Sequence, residues 1–366
     1  MIKHLSVALL GKTILMLLAL MGPVLAQAPI PPLAPEPPQQ PQTRERRYGV
    51  AEVAVARPLR IAVDNRTTGR IKVTGWDRNE VAARASSDRG EEVVILSVNE
   101  TEAGKLLSFK ADYADLDTPA DPTARVLDNP PSFGFRTLQV HLEVNVPRYA
   151  ELEEIRVIRS DVEVVGVNTP VKVFGNRSTV VLKQVGGAHI FTRTGNIEIE
   201  NTNGLVQIAT STGSVHVSGS TGAARIVTIA GPVEVMCSRG RIDVANTQGS
   251  IELMNVEGDV DAVATTSTVR FTGRLRNGRY LLKSMSGRVE MILPSDTKGF
   301  DAVLSSYLGV VETDFPFGVV GTAAPDHSER RLAGKFGNGG PQVTLDSFEG
   351  LVRLTKSQSE PASTCK

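Results

Sequence analysis

The stretch that decides the fold is Gly195-Asn196-Ile197-Glu198-Ile199-Glu200-Asn201-Thr202-Asn203-Gly204-Leu205-Val206-Gln207-Ile208-Ala209-Thr210-Ser211-Thr212-Gly213-Ser214-Val215-His216-Val217. A glycine returns every nine residues, at 186, 195, 204, 213, 222, 231, 240, 249 and 258. Two and four residues after each glycine stand apolar side chains, such as Ile197/Ile199, Val206/Ile208, Val215/Val217, Val233/Val235 and Ile251/Leu253. Alternation over four or five residues describes a strand with one buried face, because successive side chains leave opposite sides of the pleat. Glycine beside Thr, Asn or Gln supplies the turn. A strand with two inward side chains has no interior of its own, so the units must stack and share one.

Nine residues are too few to close a coil around a filled interior, whereas two units make an eighteen-residue coil with a strand on each side. The residues three before each glycine support this pairing: every second one gives Thr192, Thr210, Thr228, Asn246 in one column and Asn201, Gly219, Cys237, Asn255 in the other. An up-and-down antiparallel sheet with tight hairpins also tolerates such turns, but it has no reason to hold its period. The expected fold is all-β: a β-solenoid, β-helix-like, of nine-residue strand-turn units and about eighteen residues per coil, with less regular β regions at both ends. The inward set is expected to be Ile197, Ile199, Val215, Val217, Val233, Val235, Ile251 and Leu253, with Glu198, His216, Glu234 and Glu252 outside.

Around this core the chain divides by composition. Residues 1–26 read as an export signal: Lys3 and His4, an apolar run, then small residues near Ala26. A retained anchor is the alternative, and no later apolar run reaches the ~20 residues of a span. Residues 27–43 form a proline-rich linker suited to polyproline II. Residues 44–149 carry longer, irregular strands continuous with the solenoid, 150–293 the repeat, 294–356 a C-terminal β region and cap, and 357–366 a polar tail. The cap is expected to be built by the two strands in Gly337–Leu345 and Gly350–Leu354. Location is therefore expected to be exported: periplasmic, cell-surface or extracellular.

The 40 basic and 40 acidic residues balance, which leaves no basic footprint for nucleic acid. Cys237 and Cys365 lie far apart in sequence, so a stabilising disulfide is not expected, and Cys237 is read as a small buried corner residue.

Asn65-Arg66-Thr67-Thr68-Gly69-Arg70-Ile71-Lys72-Val73-Thr74-Gly75-Trp76-Asp77, the serial glycine-punctuated units and the closing GNGGPQVTLDSFEGLVRL together resemble the bacterial β-strand-repeat adhesin family, a domain-of-unknown-function family. The resemblance runs from about Val55 to Lys356. It implies an exported all-β solenoid with an adhesive role, and it brings no catalytic or binding residue with it.

The chemistry that the residues themselves offer is sparse. Outward positions carry His189, Gln207, Arg225, Asp243 and Asp261 on one face and Glu198, His216, Glu234, Glu252 and Arg270 on the other. Stacked one coil apart, about 4.8 Å, Glu234 with Glu252 or Asp243 with Asp261 come near the roughly 5 Å separation of retaining glycosidases. A polar outer ladder is what solubility alone requires. His189 and His216 fall on opposite faces and share no metal. The turns lack the repeated Asp of nonapeptide calcium solenoids, and no HExxH, GxSxG, Walker or CxxC pattern occurs. The expectation is a non-enzymatic envelope or exterior protein, without cofactor or metal, binding a cell-surface, polysaccharide or protein partner. Its outward ladder of Glu198, His216, Glu234, Glu252, Asp243 and Asp261 is the candidate site. A polysaccharide lyase or hydrolase and a periplasmic regulatory or assembly partner are the alternatives.

Overall fold

Strands that follow one another in the repeat do not pair with each other; each pairs in parallel with the next but one, eighteen residues away. In the computed structural model, which describes residues 45–48, 50–54, 59–87, 94–101, 106–113, 139–316, 330–357 and 365, β12 (Ile197–Thr202), β14 (Val215–Ser218), β16 (Val233–Met236), β18 (Ile251–Met254) and β20 (Val269–Thr272) stack in register. On the other side β11 (Gly187–Thr194), β13 (Val206–Thr212), β15 (Ala224–Ala230), β17 (Ile242–Gln248) and β19 (Val260–Ala264) do the same. Two parallel walls therefore face each other, and the antiparallel meander is excluded. The nine-residue period is half a coil. The signal segment 1–26 and the linker 27–43 lie outside the described residues.

The interior is filled as alternation dictates. Ile197, Ile199, Val215, Val217, Val233, Val235, Ile251 and Leu253 are all at most 1% exposed, and they meet Ala188, Ile190, Val206, Ile208, Ala224, Ile226, Ile242 and Val244 from the opposite wall, also buried. Each fully buried Val or Ile contributes roughly 1.5–3 kcal/mol, which one isolated unit could not collect. Glycine spacing has a steric cause at the corners. Gly213 has φ +136°, and a Cβ there would stand 2.1 Å from the carbonyl oxygen of Gly195 one coil below.

The other turn positions split as their columns suggest. Thr192, Thr210, Thr228 and Asn246 are buried; the Thr192 and Thr210 hydroxyls lie 3.3 Å apart and Asn246 Nδ2 donates to the Gly231 carbonyl at 2.8 Å. The alternate column turns left-handed, with φ 56° at Asn201, 65° at Gly219, 50° at Cys237 and 51° at Asn255. There the next residue turns inward: Thr202, Ser220, Ser238 and Val256 are all 0% exposed. Cys237 itself is half-exposed.

Two expectations fail at this point. Cys237 is bonded to Cys365, with Cα atoms 5.4 Å apart across 128 residues of sequence. Separation along a solenoid chain says little about separation in space, and the left-handed corner presents Cys237 outward, where the tail reaches it, instead of burying it. The second concerns the cap. The strands β26 (Gln342–Ser347) and β27 (Val352–Ser357) are not outermost. They lie in parallel between β21 (Arg279–Ser284) and β22 (Val289–Pro294) on one side and β23 (Gly299–Ser306) and β24 (Val311–Thr313) on the other. The chain makes its terminal coil first and then inserts its last coil beneath it. Antiparallel β25 (Arg330–Gly337) covers the edge of β23, a way of blunting an open edge.

The N-terminal end follows a similar plan. β3 (Arg60–Trp76) and β8 (Glu151–Val165) each bend from one wall to the other and form whole coils. Through them the walls join into one hydrogen-bonded network of 27 strands among the described residues. β7 (Gln139–Pro147) pairs in parallel with β3 and antiparallel with β4 (Glu80–Ser87), so it too occupies a slot between strands made earlier.

Candidate binding face

The wall containing β12 to β20 presents a column of polar and charged side chains that contact one another. Adjacent strands set Glu198, His216, Glu234, Glu252, Arg270 and Glu290 side by side. His216 Nδ1 lies 3.1 Å from Glu234 Oε2. Arg270 reaches Glu252 at 3.8 Å and Glu290 at 2.9 Å. Farther along, Arg353 pairs with Glu312 at 2.7 Å. Lys183, on β10 (Val180–Val185), reaches Glu200 at 3.0 Å and Glu198 at 3.7 Å. Its hydrogen bond to Glu200 holds the ammonium above the usual lysine range and the Glu200 carboxyl below the usual carboxylate range. Glu234 and Glu252 are directly opposite in register, yet each faces its own basic side chain.

The second wall carries the remaining candidates. Asp243 and Asp261 are neighbours in register, and Asp243 accepts from Arg241 at 3.0 Å. His189 Nδ1 is 2.9 Å from Gln207 Oε1. His189 on β11 and His216 on β14 lie on opposite walls, as the odd unit count requires. The six ladder residues are thus divided into four on the first wall and two on the second, and no single constellation gathers them.

What distinguishes the second wall is the next outward column, five residues after each glycine. β9 (Pro170–Arg177) begins it, and the register runs Phe174, Phe191, Ala209, Val227, Ala245, Val263. These side chains point to solvent: Phe174 is 40% exposed, Phe191 45% and Val227 42%, with Ile229 beside them at 54%. The two phenylalanine rings stack at 5.4 Å between centroids, 10° apart in plane. They line an open groove of about 790 Å³ with Asn176, Arg193, Ser211 and Val227. At the far end of the same wall a second stack, Tyr307 on Phe348 at 4.9 Å, is also exposed. The other aromatics of the repeat behave differently, since Phe271 and Tyr280 are fully buried edge to face at 5.2 Å.

Attention to the position three after each glycine, where the charges are, passes over this column. The usable signal was an apolar residue recurring every eighteen positions in an outward phase, Phe191, Ala209, Val227, Ala245, Val263, which core packing cannot explain. Among the described residues no group of three or more His, Cys, Asp or Glu side chains is placed to hold a metal ion.

No characterised protein matches the sequence. Two solved structures are similar. A "putative cell adhesion protein" from Clostridium sporogenes ATCC 15579 has 8% identity over 86% of this chain and 100% of its own, with a TM-score of 0.18. A "putative adhesin" from Bacteroides fragilis NCTC 9343 has 10% identity over 84% of this chain and 96% of its own, with a TM-score of 0.25. At such scores neither overlay bears on fold or function. The family model described as Toastrack DUF4097 matches residues 141–355. That span is more than half of the chain and takes in the whole nine-residue repeat, and the chain belongs to the Toastrack DUF4097 family.

Proposed function

We propose that the protein is an exported, non-enzymatic module of the cell envelope or exterior that attaches to a surface partner through its second wall. The observation that carries this reading is the contrast between the walls. One pairs Lys183, Arg270 and Arg353 with acids of its own, while the other leaves a continuous apolar and aromatic column in water, and exposed patches of that kind mark interaction sites. A bonded cysteine pair favours an oxidising compartment, which agrees with the export-type sequence at residues 1–26. The candidate ladder residues then act as a solvated frame. Replacing Glu234, Glu252, Asp243 or Asp261 singly by Ala is expected to change binding by only about 0–1 kcal/mol.

The test is sedimentation of the purified protein with envelope fragments. Retention is expected for the unaltered chain and for the four Ala variants, with loss for Phe174→Ala/Phe191→Ala. A chain that fails to sediment, or sediments equally after loss of both rings, overturns the reading. Release of reducing or unsaturated sugar ends, abolished by one carboxylate substitution at unchanged stability, would establish the lyase or hydrolase alternative in its place.

A further inference from the structure

Three cations stand on the second wall beside the phenylalanine stack: Lys172 on β9, Arg193 on β11 and Arg225 on β15. Lys172 precedes Phe174 by two residues, Arg193 follows Phe191 by two and Arg225 precedes Val227 by two. In a strand this puts each cation on the same face as its apolar neighbour. All three are exposed, and none pairs with a carboxylate among the described residues. By contrast, Lys183, Arg270 and Arg353 on the other wall pair with acids, as does Arg156 at the groove edge with Glu154. These three cations outnumber the acid that lines the groove, Asp64, and Asp243, the register neighbour of Arg225, is taken by Arg241; an excess of basic charge beside an exposed aromatic ledge describes a ligand that is anionic and has apolar faces.

We propose that this half of the wall is a docking surface for an acidic polysaccharide, a chain of uronate-type sugars lying along the stacking direction over Phe174, Phe191 and Val227. The proposal rests on the surface-binding reading above and specifies its ligand class. The C–H faces of pyranose rings pack on the ledge, the carboxylates meet Lys172, Arg193 and Arg225, and the hydroxyls find Asn176 and Ser211 at the groove. From Phe174 to Val227 is three strand spacings, about 14 Å, the length of a short run of sugars. A bilayer fits less well. The column carries Lys172 and Arg225 on one side and Asn176, Arg193 and Ser211 on the other, so sinking it the roughly 5–10 Å that interfacial anchoring uses would take these charged and polar side chains with it.

The experiment is affinity electrophoresis of the purified protein through gels containing polygalacturonate or neutral dextran, with anionic phosphatidylglycerol vesicles as a third probe. Retardation by polygalacturonate alone is expected, weakening as salt rises. Phe174→Ala/Phe191→Ala should weaken it about tenfold, Arg193→Glu/Arg225→Glu should abolish it, and His216→Ala/Glu252→Gln on the opposite wall should leave it unchanged. Unaltered thermal midpoints establish that the surface variants remain folded. Equal retardation by dextran, binding to vesicles only, no retardation by polygalacturonate, or an equal loss in the opposite-wall variant each overturns the proposal. If envelope fragments are still held through the two rings while polygalacturonate is not, the ligand assignment fails and the surface-binding reading stands; if neither binds, both fail.

Discussion

Cys237 joins two requirements at one residue. Its backbone is left-handed, φ 50°, which costs a side-chain-bearing residue free energy that asparagine or glycine meets more easily. Its sulfur bonds Cys365 and closes a loop of 128 residues. On a chain-entropy account a loop of that size stabilises by about 5 kcal/mol, the upper end of what native disulfides contribute. Cys237→Ser should therefore lower the guanidinium midpoint under non-reducing conditions, and dithiothreitol should lower the unaltered protein to match while leaving the variant where it was. The Lys183 and Glu200 pair acts on a smaller scale. Glu200 is held low, so its contribution is complete above the ordinary carboxylate range and disappears as pH falls through its depressed value. Lys183 is held high, so its contribution is complete below the ordinary lysine range and disappears as pH rises through its raised value. Both are about a third exposed, so each loss is about 0–1 kcal/mol. Lys183→Met should flatten the acid limb of a midpoint-against-pH curve by that amount, and an unchanged limb would assign it to other carboxylates.

At the scale of the strand, the four-residue element Val233–Met236 shows how firmly register is held. Val233 and Val235 are inward and 0% exposed while Glu234 is outward, and a one-residue slip would reverse all three. Val233→Asp places an unpaired charge between two walls and should cost on the order of 3–5 kcal/mol, read as a lower denaturation midpoint; a midpoint within error of the parent would contradict the packing. This much was legible beforehand, because a period of nine and an alternation of two are local properties. The aromatic column was present in the same letters but is legible only after the eighteen-residue coil has been used to line up Phe174 with Phe191 and Val227. The bond at Cys237 was illegible for a related reason: it depends on where residue 365 returns, and no local pattern encodes that return. The place of the last coil was not legible because a strand's position in the stack is set by which slot is vacant. Gln342–Ser347 has the same alternation whether it closes the stack or, as here, fills a gap within it.

For the molecule as a whole, the inserted coil and the bond to Cys365 decide how the protein carries load. Under the proposed attachment role the protein is pulled, and tension applied at Lys366 passes through Cys365 directly into the corner after β16 without first reaching β27. The span between the two sulfurs, a sequence separation of 128, then bears none of the pull along the chain, so the aromatic stack of Tyr307 and Phe348 lies within the sheltered span, while Phe174 and Phe191 lie on the loaded one. Stretching single molecules by their termini should show this as extension withheld. The oxidised protein should fall short of the reduced one by about 420–460 Å at full unravelling, the reach of that many extended residues. Equal contour lengths before and after reduction would mean the tail is not tied to the corner. With the bond cut, force instead reaches a coil gripped on both faces, which must slide out between its neighbours and break both rows of hydrogen bonds together, where an outermost strand would peel away one bond at a time.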